Sequence, residues 1–201
     1  MKILYVHGFN SSGSSSKVDQ LKEAFPNYKI AAPTLSADPS EAYGQLVSEL
    51  IEDYEDTIIV GTSLGGFYSL LISNRFDIPC FLINPSLEPH KTLVKKVGKH
   101  VRFGTDNEVY DFKQEYLEKL KNASADTLPS NQDYKLINVY LSKDDEQLDF
   151  SNIRKFIPKA NIYKEFDNSG HRFSKFSEVI PDIRAYALEM EGKQSEDDLL
   201  F

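Results

Sequence analysis

The sequence predicts an α/β fold with a mostly parallel central sheet and helices on both of its faces. Short apolar runs rich in β-branched residues alternate with segments whose apolar residues recur at helical spacing. Several runs are continuously apolar, which is typical of parallel strands covered on both sides. One run ends in the pattern Gly-x-Ser-x-Gly at residues 61–65, and a helix-compatible segment follows at once. The 201 residues are expected to form one domain.

The first half of the chain alternates strands and helices in regular order. We predict strands at Ile3–Val6, Tyr28–Ala31, Thr57–Val60 and Pro79–Ile83. The helices between them are expected over Val18–Phe25, from Pro39 through Ile51, and over Phe67–Ser73. The last serines of the polar loop 7–16 are suited to cap the first helix, and Pro39 and Ser40 open the second. This alternation predicts βαβ units and therefore parallel strands.

The regular order breaks between residues 88 and about 130. Two helical patches, Thr92–Val97 and Glu108–Lys121, are predicted here with no strand between them, which indicates a short helical cap insertion. Strands resume at Leu136–Leu141 and Asn161–Phe166, separated by a helical patch at Leu148–Ile157. A last helix is predicted from Ser174 to about Met190, and the acidic tail 191–201 is expected to fray.

The segment around Ser63 has the form of a nucleophile elbow, a strand, a sharp turn and a helix with the serine at the apex. Gly61 and Gly65 suit this turn because side chains there would collide across it. The turn would lift the Ser63 hydroxyl clear of the sheet and aim backbone N–H groups of the next helix at its target. Ser63 is therefore the candidate nucleophile, and the alternative is an inert serine in a glycine-rich turn.

A neutral serine hydroxyl needs a base to take its proton, and His171 is the best placed histidine. It follows the last predicted strand, so it should lie at the carboxyl edge of the sheet together with Ser63. Of the other three histidines, His7 is in the first loop, and His90 and His100 lie in the insertion. The alternative for His171 is a surface histidine that caps the last helix.

An acid must orient the histidine, and the sequence offers several. Asp144, Asp145 and Glu146 follow the penultimate strand, and Asp167 follows the last one. The chain order serine, acid, histidine favours the loop after the penultimate strand, and within it we favour Asp145. Neighbouring residues in a loop point in different directions, so the choice among these acids stays open from the residues alone.

The backbone N–H groups of Phe9 and Leu64 are the expected donors of an oxyanion hole. Phe9 follows His7-Gly8 in the first loop, where a glycine lets the backbone approach a substrate, and Leu64 follows Ser63. The plainer interpretation of His7-Gly8-Phe9-Asn10 is a turn that leads to a helix cap.

A basic cluster, defined as Lys91, Lys95, Lys96, Lys99 and Arg102, interrupts an otherwise acidic chain. Its usual meaning is a solvated helix face. A second interpretation is a site for an anionic part of a substrate, and this predicts that neutralising Lys95 and Lys96 raises KM for anionic acyl donors only.

Composition argues against several classes of function. The formal net charge of −8 disfavours binding to nucleic acid or to an anionic membrane surface. The single cysteine, Cys80, excludes an internal disulfide, and no apolar run resembles a leader or a membrane span, so a cytoplasmic location is expected. The scattered histidines lack metal-ligand spacing, so no cofactor and no metal are expected. Nothing in the sequence specifies an oligomeric state.

Five motifs together resemble the YqiA/YcfP family of small α/β-hydrolase-fold esterases. They are Tyr5-Val6-His7-Gly8-Phe9-Asn10-Ser11-Ser12, Gly61-Thr62-Ser63-Leu64-Gly65-Gly66-Phe67-Tyr68, Leu82-Ile83-Asn84-Pro85, Asp145-Glu146 followed by Leu148-Asp149, and Gly170-His171-Arg172-Phe173. The resemblance extends over nearly the whole chain. It implies a compact hydrolase that lacks the first antiparallel strands of larger relatives and has a short helical cap, here about 88–130. It also implies Ser63 as nucleophile, Asp145 as acid and His171 as base.

The expected function is therefore a serine hydrolase that cleaves a small-molecule carboxylic ester or thioester through an acyl-enzyme on Ser63. Two alternatives remain. The same set of residues could transfer the acyl group to an acceptor other than water, or the scaffold could be catalytically silent and serve as a binding or regulatory module.

Overall fold

A six-stranded parallel sheet forms the centre of the computed structural model, which describes residues 1–51, 53–124 and 134–197. Each described pair of neighbouring strands in this sheet is parallel. The predicted α/β class with a parallel sheet is thus confirmed. The strands, listed in their spatial order across the sheet, are β2 (Lys29–Ala31), β1 (Lys2–Val6), β3 (Thr57–Thr62), β4 (Cys80–Ile83), β7 (Ile137–Ser142) and β8 (Ile162–Phe166).

Helices connect these strands. They are α1 (Ser16–Ala24), α2 (Pro39–Leu50), α3 (Leu64–Phe76), α4 (Pro89–Thr92), α5 (Gln114–Ser124), α6 (Phe150–Phe156) and α7 (Ile180–Asp197), with short 3₁₀ turns at Tyr54–Asp56, Val94–Lys96, Tyr134–Leu136 and Phe176–Glu178. Within the described ranges, no helix combines the length and the apolar character needed to cross a bilayer.

The helix ends differ in part from the sequence prediction. Helix α2 begins as predicted with Pro39 in its first turn, and the side chain of Asp38 accepts a hydrogen bond from the Ser40 N–H at 2.9 Å. Ser15 precedes α1, but its side chain makes no capping hydrogen bond. Helix α7 continues to Asp197, into the segment for which fraying is expected, and residues 198–201 lie outside the described residues.

Each face of the sheet carries its own hydrophobic core, because side chains alternate along a strand. Helices α2, α3 and α5 pack on the face that includes Leu4, Val6, Ile59, Leu82 and Val139. Helices α1 and α7 pack on the opposite face, which includes Ile3, Tyr5, Ile58, Val60 and Phe81. Burial of both faces explains why these strands are continuously apolar in the sequence.

The strand order reverses direction between β1 and β3, which places a crevice at their carboxyl ends. Val6 pairs with Gly61 in the sheet, so the loops that leave the two strands run side by side. A Cβ atom added at Gly8 would lie only 3.3 Å from the Cβ atom of Ser63. The fold therefore brings the first loop against the predicted nucleophile.

The insertion is not wholly helical, and the prediction that no strand lies within it is wrong. After α4, strands β5 (Gly98–Val101) and β6 (Val109–Phe112) form an antiparallel hairpin, named here the cap hairpin. Helix α5 begins only at Gln114, so the start predicted at Glu108 was six residues too early.

Inward and outward side chains alternate along the two strands of the cap hairpin, as they do in any β-strand. Its inward side chains His100 and Tyr110 face each other across the two strands and pack near Phe9, whereas Val101 and Val109 are exposed. In so short a segment this period of two is hard to distinguish from helical spacing. Residues 125–130, which complete the predicted insertion, lie outside the described residues.

Candidate active site

Ser63 lies at a strained turn between β3 and α3, with φ +53° and ψ −118°. Such a conformation is rare for a residue other than glycine and is often found at functional sites. The two glycines of the motif are required by packing, since a Cβ at Gly61 would press on the Gly65 carbonyl, and a Cβ at Gly65 would overlap the Val6 carbonyl. The Ser63 N–H donates to the Ile83 carbonyl at 3.0 Å, which ties the turn to β4.

The structure brings Ser63, His171 and Asp145 into one chain of hydrogen bonds. Ser63 Oγ lies 3.0 Å from His171 Nε2, and His171 Nδ1 lies 2.8 Å from Asp145 Oδ2 and 3.0 Å from Asp145 Oδ1. Each residue lies in a loop that follows a different strand, β3, β7 or β8, and all three loops meet at the carboxyl edge of the sheet. The Asp145 side chain is only 2 % exposed, so water does not compete for its contact with the imidazole.

The backbone after Asp145 holds its carboxylate in place. The N–H groups of Gln147 and Leu148 both donate to Asp145 Oδ1, at 2.8 and 2.9 Å. Because Oδ1 is engaged by these two donors, Oδ2 is left as the closer acceptor for the ring of His171. This arrangement favours the tautomer with the proton on Nδ1, which leaves Nε2 free to accept the proton of Ser63.

Asp144 bridges to the loop that carries His171, defined here as the His171 loop, residues 167–173. Its Oδ1 accepts hydrogen bonds from Ser142 Oγ at 2.6 Å and from the N–H groups of Ser169 and Gly170 at 3.0 and 3.3 Å. The Ser142 hydroxyl first, and then the Ser169 N–H, lower the pKa of Asp144 to about 2. Asp144 thus shapes the His171 loop without contacting the imidazole.

The remaining two acids of the sequence analysis take other roles. Glu146 Oε2 accepts the backbone N–H of His171 at 3.0 Å, and this hydrogen bond lowers the pKa of Glu146. Asp167 forms an ion pair with Lys143 at 3.0 Å on the surface, where its side chain is 69 % exposed. Among the candidate acids, Asp145 alone has its carboxylate against the ring of His171 in the part of the chain that is described.

Asn84 joins three loops of the site, and the sequence alone assigned it no role. It is buried at the end of β4 with φ +42°, and its Oδ1 accepts the Ser142 N–H at 2.7 Å. Its Nδ2 donates to the carbonyls of Gly170 and His171 at 3.0 and 3.2 Å. One amide therefore ties the loops after β4, β7 and β8 together. An asparagine directly after a buried strand is a signal for such a turn, because asparagine tolerates positive φ.

The N–H groups of Phe9 and Leu64 are free donors beside the nucleophile. Within the described residues neither N–H has a hydrogen-bond acceptor, and both residues line the cleft that contains Ser63. Leu64 is the first residue of α3, so its N–H belongs to the positive end of that helix. The pair has the chemistry that an oxyanion requires, two unpaired amides next to the attacking oxygen.

His7 is a buried structural histidine. Its Nε2 accepts the Leu35 N–H at 3.0 Å, so the proton must be on Nδ1, which donates to the Gly8 carbonyl at 2.8 Å. Burial, above all, lowers the pKa of His7 to about 4. Both nitrogens are engaged, and His7 is therefore not a rival of His171 as base.

We expect His7 to make the protein less stable as the pH falls from about 6.5 to about 4. In the unfolded chain His7 binds a proton with the ordinary pKa of histidine, whereas in the folded protein it binds that proton only near pH 4. The free energy of unfolding should therefore drop by about 3 kcal/mol across this window through His7 alone. Urea unfolding at several pH values will measure this drop in the free energy of unfolding. His7→Gln keeps an acceptor and a donor but does not titrate, so an equally steep loss in this variant would contradict the assignment.

An open cleft of about 530 Å³ surrounds Ser63 and His171. One wall is formed by the first loop and the start of α1, and the other by the cap hairpin and the segment after α4. Three cationic side chains line it, Lys17, Lys96 and Arg172, and no aspartate or glutamate does so within the described ranges. The residues with an ordinarily charged side chain that line the cleft are therefore all cationic, in a protein whose net charge is −8.

The basic cluster of the sequence analysis is not a helix face. Its members are spread over α4, a 3₁₀ turn and the cap hairpin, and Lys96 is the member that lines the cleft. Arg102 is buried, donates to Glu108 at 3.0 Å and to the Ser11 carbonyl at 3.0 Å, and so fastens the cap hairpin to the first loop. No group of three or more possible metal ligands occurs in the described part of the chain.

Comparison with known sequences places the chain near one family. A family model described as Uncharacterised protein family (UPF0227) matches residues 2–188. The protein YcfP of this family from Escherichia coli is 26 % identical over 194 residues, covering 92 % of this chain and 97 % of its own. A UPF0227 protein from Pectobacterium atrosepticum is 25 % identical over 190 residues, with the same two coverages. The resemblance to YcfP inferred from the motifs is confirmed.

Comparison with solved structures identifies the fold. Est1E from Butyrivibrio proteoclasticus has a TM-score of 0.71 at 14 % identity and covers 95 % of this chain and 88 % of its own. A monoacylglycerol lipase from Paleococcus ferrophilus has a TM-score of 0.68 at 14 % identity, covering 94 % of both chains. The chain therefore has the predicted α/β-hydrolase fold.

Proposed function

Because the chain belongs to the uncharacterised protein family UPF0227 and has the α/β-hydrolase fold, we propose that it is a serine hydrolase. The substrate is a small-molecule carboxylic ester or thioester, and the reaction proceeds through an acyl-enzyme on Ser63. The observation that carries this proposal is the 3.0 Å contact between Ser63 Oγ and His171 Nε2 inside an open cleft. An inert serine in a turn needs neither a base at hydrogen-bond distance nor access to a substrate.

In the first half of the reaction, His171 Nε2 takes the proton of Ser63 Oγ as that oxygen attacks the acyl carbon. The electron pair of the carbonyl moves onto its oxygen, which receives hydrogen bonds from the N–H groups of Phe9 and Leu64. The tetrahedral intermediate collapses, the bond to the leaving oxygen or sulfur breaks, and His171 returns the proton to that atom. Ser63 is then acylated.

In the second half, a water molecule takes the position of the leaving group. His171 removes its proton, the resulting hydroxide attacks the acyl carbon, and Ser63 leaves with the proton returned from His171. Asp145 stays ionised, holds the ring through Nδ1 and stabilises the imidazolium that forms twice in each cycle. An acyltransferase would use the same steps with another acceptor in place of water.

The supports of the His171 loop explain how the ring is oriented. Asp144, Glu146 and Asn84 all bond to its backbone, at Ser169, Gly170 or His171 itself. Catalytic groups held within a fraction of an ångström of their working geometry avoid reorganisation during the reaction. These three residues are therefore assigned as positioning residues.

Covalent labelling tests the proposal. Incubation with a fluorophosphonate should add one adduct to the parent protein and none to Ser63→Ala, because only an activated serine attacks the phosphorus centre. Intact-mass analysis will measure the adduct, and peptide mapping will locate it. Circular dichroism of both proteins controls for folding.

The labelling result also decides between a hydrolase and a silent scaffold. A folded parent that remains unlabelled would contradict the proposal and favour a binding or regulatory module. A labelled parent that releases acyl groups only when an alcohol or amine is supplied would indicate acyl transfer instead of hydrolysis.

A further inference from the structure

The charged residues that line the cleft have the sign opposite to the net charge of the chain. The protein has 31 acidic residues against 23 lysines and arginines, yet Lys17, Lys96 and Arg172 line the cleft and no carboxylate does so in the described ranges. A concave surface of one sign concentrates its electric field and attracts ligands of the other sign. The carboxylate that contacts the ring of His171, that of Asp145, is only 2 % exposed and bonded to the imidazole, so it is not presented to a ligand in the cleft.

The Lys17 side chain is held against the backbone of Arg172. Lys17 Nζ donates to the Arg172 carbonyl at 2.6 Å, and the ammonium lies 5.9 Å from the centre of the Phe176 ring. Burial and then the charge of Arg172 lower the pKa of Lys17. Among the described residues, neither of these cations forms an ion pair with a carboxylate. The two side chains therefore act on each other as like charges without a carboxylate partner, and a bound anion would offset that repulsion.

The position of this pair relates it to one half of the substrate. Arg172 directly follows His171, and its guanidinium lies 5.8 Å from the centre of the Phe103 ring at the cap side of the cleft. In the proposed reaction, His171 Nε2 protonates the leaving atom, so the leaving group must lie beside His171. Arg172 adjoins His171 in the chain and Lys17 is bonded to the Arg172 carbonyl, so both residues belong to the His171 side of the cleft, whereas the free N–H groups of Phe9 and Leu64 lie beside the position of the acyl oxygen.

We propose that the natural leaving group, an alcohol or a thiol, carries a phosphate or carboxylate group that Lys17 and Arg172 bind, with Lys96 facing it from the cap side. This inference rests on the proposed function and specifies its substrate class. The anion takes no part in bond breaking. It anchors the leaving group while its oxygen or sulfur accepts the proton from His171, and the free anionic alcohol or thiol then departs.

Matched ester pairs test the inference. One pair is the butyryl esters of 4-hydroxyphenylacetate and of its neutral amide, and another is the butyryl esters of 4-hydroxybenzylphosphonate and of its dimethyl ester. Each pair shares the acyl group and the phenol, so the ratio of kcat/KM between its members isolates the anion. A third pair, 4-nitrophenyl monoadipate and 4-nitrophenyl hexanoate, places the anion on the acyl side instead. The first two pairs distinguish a carboxylate from a phosphate.

We expect the parent to prefer the anionic member of one of the first two pairs by about a hundredfold, because each charge-assisted contact contributes about tenfold. Lys17→Gln and Arg172→Gln should each reduce the preference to about tenfold. Lys22→Gln is the matched control, since Lys22 is an exposed lysine on the same helix that does not line the cleft. The preference should also fall as NaCl rises from about 0.05 to about 0.5 M.

The outcomes separate the two proposals. Three results would overturn the inference: equal kcat/KM for both members of each pair, a preference that survives both substitutions, or a preference confined to the adipate pair. In each of these cases, hydrolysis of the neutral esters would still support the proposed function. A parent that neither reacts with a fluorophosphonate nor hydrolyses any ester would overturn both. Lys17 also contacts the backbone of the His171 loop. A variant that loses kcat/KM equally on both members of a pair has therefore lost the positioning of His171, and only a change in the ratio of kcat/KM within a pair tests anion binding.

Discussion

Ser63→Ala is expected to lower kcat for ester hydrolysis by about 10⁵-fold or more. The side chain of Ser63 supplies the oxygen that becomes acylated, and no other hydroxyl is bonded to His171 Nε2 within the described residues. The residual rate would come from substrate binding and from the free N–H groups of Phe9 and Leu64. A continuous assay with a 4-nitrophenyl ester, at enzyme concentrations high enough to detect the residual rate, will measure the loss.

Ser63→Gly separates the chemical role of the hydroxyl from the strain of the turn. Both substitutions remove the hydroxyl and should be equally inactive, but glycine accepts φ +53° at little cost whereas alanine does not. The glycine variant should therefore be more stable than the alanine variant by about 1 kcal/mol in urea unfolding. Parental activity in either variant would refute the role of Ser63, and equal stability of the two would refute the strain.

The parallel sheet and the positions of Ser63 and His171 were predictable because they depend on local patterns. Apolar runs identify buried strands, and the carboxyl ends of parallel strands meet at one edge, so loops far apart in sequence can be expected to meet. The glycines around Ser63 indicate a tight turn for steric reasons that act within five residues. Such signals need no knowledge of the rest of the fold.

Other parts of the site depend on contacts that no local pattern encodes. Asn84 acts through a positive φ and through carbonyls 86 and 87 residues away, and Lys17 meets Arg172 across 155 residues. The cap hairpin escaped prediction because its inward face is formed against Phe9, so its pattern makes sense only once the first loop is in place. Sequence alone pointed to the basic cluster and did not identify Lys17 and Arg172 as cations of the cleft.

Which acid orients His171 also depends on contacts between loops that are distant in sequence. The contact of Asp145 with the imidazole leads to the second large prediction. Asp145→Asn is expected to lower kcat by about 10⁴-fold with little change in folding. The N–H groups of Gln147 and Leu148 donate to Oδ1, so the carbonyl oxygen of the new amide must take that position. Its NH₂ group then replaces Oδ2 at 2.8 Å from His171 Nδ1 and donates to it. The proton of the imidazole moves to Nε2, which can no longer accept the proton of Ser63.

Two acid-to-amide controls make this prediction specific. Asp167→Asn changes a surface ion pair with Lys143 and should leave kcat unchanged. Asp144→Asn retains an oxygen acceptor for the Ser169 and Gly170 N–H groups. We therefore expect kcat to fall by tenfold or less, because the hydrogen bonds that hold the His171 loop become weaker. NMR of the imidazole nitrogens should report the Nε2–H tautomer in Asp145→Asn and the Nδ1–H tautomer in both controls. If Asp144→Asn instead showed the larger loss and the changed tautomer, Asp144 would have to be the residue that orients His171, and the 2.8 Å contact of Asp145 would be incidental.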